Sequence, residues 1–92
     1  MIKVTVDGIE KEMTTTEALI LAGTMTSEAA WSMYVGEYAR AMDQASEANN
    51  VAWLAVAEAK ETGSADQIGW TRCAANYAGT LYTQAQQAAA QA

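Results

Sequence analysis

The sequence predicts a mainly α protein that opens with a small β-hairpin, an α+β chain whose bulk is a long antiparallel helical hairpin. Three observations carry this. Strict alternation of apolar and polar residues is confined to the first few positions. From Thr26 onward, alanine or a larger apolar residue recurs every third or fourth position. No proline interrupts that run. The 92 residues suit one domain spanning 1–92, and a chain of this size buries only about 60–65% of the surface it exposes when unfolded. Association with partners or with itself therefore has room to add stability.

Residues 1–13 read as the hairpin. Ile2, Val4 and Val6 alternate with Lys3, Thr5 and Asp7, as in a strand with one buried face. Asp7-Gly8 then tolerates the two positive φ angles of a type I′ turn. That turn sets Val6 opposite Ile9, Val4 opposite Lys11 and Ile2 opposite Met13, with Lys3 against Glu12 on the other face. An isolated pair of strands is marginal in water, so the hairpin must lie on the helices or take a strand from a partner.

Residues 14–23 read as a short helix. Thr14 and Glu17 fit a capping box, Ala18-Leu19-Ile20-Leu21-Ala22 is apolar nearly all round, and Gly23 suits a left-handed stop. Strand, Asp-Gly turn, strand, Thr-rich cap and short helix resemble the opening of a small β-grasp domain of the ubiquitin-like sulfur-carrier kind. The resemblance covers Ile2 to Gly23. No further strands follow and there is no Gly-Gly tail, so the carrier function is not implied.

A long helix is then expected over 27–62, started by Thr26-Ser27-Glu28, and another over 65–91, capped by Ser64 and Gln67 after a stop at Gly63. The first carries the seam Trp31, Val35, Tyr38, Met42, Ala45, Asn49, Ala52, Val56, Ala59. The second carries Ile68, Thr71, Ala75, Ala78, Tyr82, Ala85, Ala89, Ala92. Steps of three and four are those of helices packed on one helical neighbour. Folding back at Gly63-Ser64 places Ala52 near Ala75, Asn49 near Ala78 and Gly79, and Ala45 near Tyr82. Asn49 reads as a polar residue that sets register within a continuous helix, the alternative being a break with one helix ending near Ala48 and another starting at Asn50. Gly36, Gly69 and Gly79 read as helical positions of close backbone approach.

Each long helix also has a second apolar stripe: Trp31, Tyr34, Ala41, Ala48 and Ala55 on one; Trp70, Cys73 or Ala74, Tyr77, Leu81 and Ala88 on the other. One neighbour cannot cover both stripes. The N-terminal hairpin and short helix can cover part of one side. The remainder predicts either a homodimeric four-helix bundle or a face for another protein, the alternative being that all these residues belong to the intrachain core.

The chemistry-bearing residues are few. Histidine is absent, which removes the commonest general base and metal ligand. Cys73 has no histidine to activate it and reads as buried packing. Asp43/Glu47 and Glu58/Glu61 are pairs at helical spacing, as solvated faces carry. No glycine-rich phosphate loop is present. The reading is of no catalytic residue, no metal site and no cofactor. Tyr34, Tyr38, Arg40, Trp31 and Met42 form one aromatic-cationic cluster that could take an anionic ligand in an oligomer.

A formal charge of −6 repels phosphate backbones and argues against direct nucleic-acid binding. The single cysteine, the lack of an apolar leader and the lack of any membrane-spanning run point to a soluble cytoplasmic protein. Small acidic chains of this composition resemble the accessory proteins of bacteriophages and mobile elements. The expected function is a non-catalytic protein-protein interaction module, a small acidic inhibitor or adaptor that occludes a larger bacterial partner. The alternatives are a self-assembling structural component and a small-ligand-binding oligomer. The partner surface is expected to be basic, to be held by Glu37, Asp43, Glu47, Glu58 and Glu61 with Trp31, Tyr34, Trp70 and Tyr77 as anchors, and to release with salt.

Overall fold

The computed structural model describes residues 1–62 and 64–91. Two strands, β1 (Ile2–Val6) and β2 (Ile9–Met13), are followed by three helices, α1 (Thr15–Tyr34), α2 (Tyr38–Thr62) and α3 (Ala65–Gln91). The protein is thus mainly α, with the β-hairpin at its start. The strands pair antiparallel in the expected register, Val4 with Lys11 and Lys3 with Glu12. Asp7 and Gly8 take φ of 53° and 80° at the turn, the two positive angles that a type I′ connection demands. Ile2 and Val4 bury their side chains among Ala18, Ala22, Val51 and Ala55, so the hairpin is held by α1 and α2. The outward strand β2 carries Glu10, Lys11 and Glu12, charges that discourage pairing with a foreign strand.

Helix α1 starts where expected. The Glu17 amide donates to Thr14 Oγ1 at 3.1 Å, and the Thr14 amide donates to Glu17 Oε1 at 3.0 Å. Hydrogen bonding from the Thr14 amide, and next from the Thr14 hydroxyl, holds the Glu17 carboxyl below its ordinary pKa. The helix does not end at Gly23, however, and residues 27–62 are not one helix. Helix α1 runs through Gly23 to Tyr34, and the break falls at Val35-Gly36-Glu37. The buried residues Ala18, Ala22, Met25, Ala29 and Ser32 keep helical phase across Gly23. A stop there would forfeit half of that stripe, which outweighs the roughly 1 kcal/mol that glycine costs within a helix. Thr26, expected at a helix start, is buried in mid-helix and donates to the Ala22 carbonyl at 2.7 Å.

Gly36 is the true stop. Its φ is +84°. The Gly36 amide donates to Met33 O at 3.1 Å and the Glu37 amide to Ser32 O at 2.8 Å, which together make a Schellman termination. Trp31 and Val35, expected in a continuous seam, are instead exposed where the chain reverses.

From Ala45 to Ala59 the expected α2 seam holds. Ala45, Ala52, Val56 and Ala59 are buried, and Asn49 lies within an unbroken helix. Asn49 Nδ2 donates to the Ala75 carbonyl at 2.8 Å and stands 3.4 Å from where a Cβ on Gly79 would be. Gly79 therefore does allow a close approach, whereas Gly69 has no neighbour that a side chain would meet. Thr71, Ala75, Ala78 and Ala85 of α3 are buried as expected. The expected stop at Gly63 and the last seam residue, Ala92, lie outside the described residues.

Both flanking helices pack extensively on α2, and much less on each other. The stripe Ala41, Ala48 and Ala55, left unpartnered by a two-helix reading, faces α1, and Ser32 Oγ donates to Gln44 Oε1 across that contact at 2.6 Å. All three helices meet in both core clusters, one around Ala22, Ala52 and Ala75 and the other at Ala29, Ala45 and Leu81. The Cα envelope of 43 × 27 × 15 Å is accordingly a slab with α2 as its spine.

Two substitutions test these terminations. Gly36→Ala forces an L side chain into positive φ and should lower unfolding free energy by about 1 kcal/mol. Thr14→Ala should cost about 1 kcal/mol through the lost cap. Because the Glu17 carboxyl is depressed in the fold, its share of the capping contribution is present above the ordinary carboxylate pKa and fades as pH falls through the folded value. Urea titration of the parent and of Thr14→Ala across the acidic range should show the difference between them shrinking towards low pH.

Candidate functional site

Since α1 and α3 both lean on α2, the outer sides of these two flanking helices leave a groove of about 800 Å³ between them. Small residues, Gly23, Ser27 and Ala30 of α1 and Ala74 of α3, line it together with Cys73. Trp31 and Tyr34 border it from α1, and Tyr77 from α3. Among the described residues, no charged side chain lines it. Trp31 and Tyr34 lie one turn apart on the same helix and stack, with ring centroids 5.6 Å apart and planes inclined at 27°. Their exposures are 65% and 83%, and Tyr77 is 59% exposed. Trp70, 60% exposed, continues the Cys73–Tyr77 stripe one turn towards the start of α3.

The structure thus brings together Trp31, Tyr34 and Tyr77, with Trp70 beside them, and it places the candidate acids elsewhere. Asp43, Glu47 and Glu61 recur along the α2 stripe opposite its buried alanines, away from the groove. Glu58 accepts from the Met1 amine at 2.9 Å, tying the start of β1 to α2. Glu37 sits in the α1–α2 turn, 3.5 Å from Arg40. The expected aromatic-cationic cluster is divided as well. Arg40 borders one depression with Trp31 and another with Tyr38, and neither includes Tyr34 or Met42.

Cys73 is exposed in the groove, which corrects its reading as buried packing. Gly23 and Ser27 were missed for a physical reason. Glycine at position 23 has the sequence character of a helix stop, and only the in-phase stripe Ala18–Ala22–Met25–Ala29 betrays continuity. Among the described residues, no three cysteine or carboxylate side chains come together as a metal site, and no helix is long and apolar enough to cross a membrane. No protein-family model matches the chain, and no curated protein or solved structure is significantly similar to it.

Two measurements follow. Trp31→Ala and Tyr77→Ala remove rings that face solvent, so in dilute solution each should change unfolding free energy by no more than about 0.5 kcal/mol. A loss of several kcal/mol would place the rings in the core instead. The Met1 amine is raised from 8.0, chiefly by its hydrogen bond and charge pairing with Glu58. Its stabilisation is complete below that unfolded value and disappears as pH rises through the higher folded one. Denaturation midpoints of Glu58→Gln should therefore converge with those of the parent at alkaline pH.

Proposed function

We propose that the chain is a non-catalytic protein-binding module, an inhibitor or adaptor whose working surface is the aromatic-edged groove between α1 and α3. The observation that supports this reading best is the set of exposed rings, Trp31, Tyr34 and Tyr77, around an uncharged floor of small residues. Large aromatic residues around a small-residue channel are suited to anchoring an apolar helix, which would add a fourth rod to the three already present. The absence of histidine, and of a clustered nucleophile and base among the described residues, favours docking over turnover.

This reading moves the working surface away from the acids. A partner held through Asp43 and Glu47 would be basic and would dissociate as salt rises. A partner held in an uncharged groove keeps its affinity in salt, since apolar burial is not screened. The test is site-specific photocrosslinking in the cells that make the protein, with a benzophenone amino acid at Tyr77 or at Glu47. The proposal expects covalent protein adducts from position 77 that survive lysis in high salt, and none from position 47. Adducts from position 47 alone, lost in salt, would assign the function to the acidic face instead.

A further inference from the structure

Gly23 has no role within its own chain. It lies inside α1 with helical φ, and a Cβ built on it would meet nothing within 4 Å among the described residues. Alanine there would improve the helix at no steric cost. Yet Gly23 lines the groove, four residues before Ser27 and eight before Trp31. A glycine without an intrachain use, at the floor of an exposed aromatic surface, marks a place where something from outside comes close.

We infer that this something is a second copy of the chain, docked groove to groove, with the two α1 helices antiparallel about a two-fold axis at Ser27. The inference rests on the reading of the groove as a protein-docking surface and names its partner. In an antiparallel pair, facing residues have position numbers with a constant sum. An axis at Ser27 sets Trp31 against the partner copy's Gly23, and Tyr34 against the partner copy's Ile20, a residue otherwise 65% exposed. One axis thus gives the indole a seat with no side chain and covers every large exposed apolar side chain within α1. Such self-complementarity, knob and hole on one surface at symmetry-related positions, is what an isologous interface requires.

Charge and area agree. The chain carries −6, but none of that charge lines the groove, so self-repulsion is least on this face. The rings of Trp31, Tyr34, Trp70 and Tyr77 are 59–83% exposed. At about 150–250 Å² each when fully exposed, they offer about 550 Å² per copy. Two copies clear the roughly 1,000 Å² that separates a specific interface from a chance contact.

Sedimentation equilibrium on the full chain, from about 1 μM to about 1 mM, tests this directly. A reversible dimer is expected. Trp31→Ala should weaken it by about 30-fold, the effect of losing a central aromatic anchor. Gly23→Gln should weaken it comparably by filling the seat, while the helical circular dichroism of the parent is kept. If that variant folds poorly, Gly23→Ala serves, and should raise the melting temperature of the monomer while weakening the dimer. In a Cys73→Ser background, Ser27→Cys on the axis should oxidise to a covalent dimer faster than Asp43→Cys on the far side of α2.

A monomer at every concentration, a dimer indifferent to both Trp31→Ala and Gly23→Gln, or equal oxidation of the two cysteine variants would overturn the inference. The docking reading fails separately. Adducts between position 77 and a different protein, from a chain that is monomeric in solution, would keep that reading and remove the second copy as occupant.

Discussion

The fold depends on how narrow α2 is along one side. Ala41, Ala45, Ala48, Ala52, Ala55 and Ala59 leave no accessible surface on that stripe, and an alanine-lined helix lets its neighbours approach closely over their whole length. Two neighbours make use of it, α1 towards Val51 and Ala55, and α3 towards Asn49, whose side chain donates to the Ala75 carbonyl. Each alanine contributes little buried area, so the core gains from being long rather than thick. The same economy explains the slab shape. Two helices drawn to one spine cover that spine well and each other poorly.

The groove is the consequence. Had the α2 stripe carried leucine and phenylalanine, the bulk would have pushed the flanking helices outward and called for a thicker core to close around it. With alanine, the tryptophans and tyrosines have no interior to enter. Trp31, Tyr34, Trp70 and Tyr77 lie on the outward sides of α1 and α3, where Trp31 stacks on Tyr34 and Tyr77 stands across the groove from them. The surface that could recognise another protein thus follows from the residue choice that holds the helices together.

The sequence made the regular parts legible. Asp7-Gly8 announced its turn, and the register followed from it residue by residue. Thr14 and Glu17 announced a cap, and the seam from Ala45 to Ala59 announced the α2–α3 contact, Asn49 included. Legibility failed at two glycines whose roles are exchanged. Gly23 resembles a helix stop yet lies in mid-helix, while Gly36 resembles a helical residue yet adopts φ of +84°. The deciding force acts through tertiary packing, since Ala22, Met25, Ala29 and Ser32 are weakly apolar and gain their value only when α1 lies on α2. Once that break moves, a helical hairpin becomes a three-helix slab, Ala41, Ala48 and Ala55 find their cover within the chain, and Trp31 and Tyr34 of α1 stay exposed together with Trp70 and Tyr77 of α3. Of the nine candidate contact residues, the aromatic ones converge because they share that open side. The acids do not, because the helical period carries Asp43, Glu47 and Glu61 round to the back of α2.

The claim that decides all of this is that α1 turns back at Gly36 to lie beside α3. Cys73 is the chain's single cysteine and is exposed in the groove, so a nitroxide attached to it reports directly on what faces it. The measurement is paramagnetic relaxation by NMR on isotope-labelled, spin-labelled protein, diluted into an excess of unlabelled, unmodified chain so that only intrachain effects remain. The account predicts that the amides of Gly23, Ser27 and Ala30 and the indole N–H of Trp31 are broadened away. Unchanged intensities for those four, as a continuous helix over 27–62 would give, would contradict it.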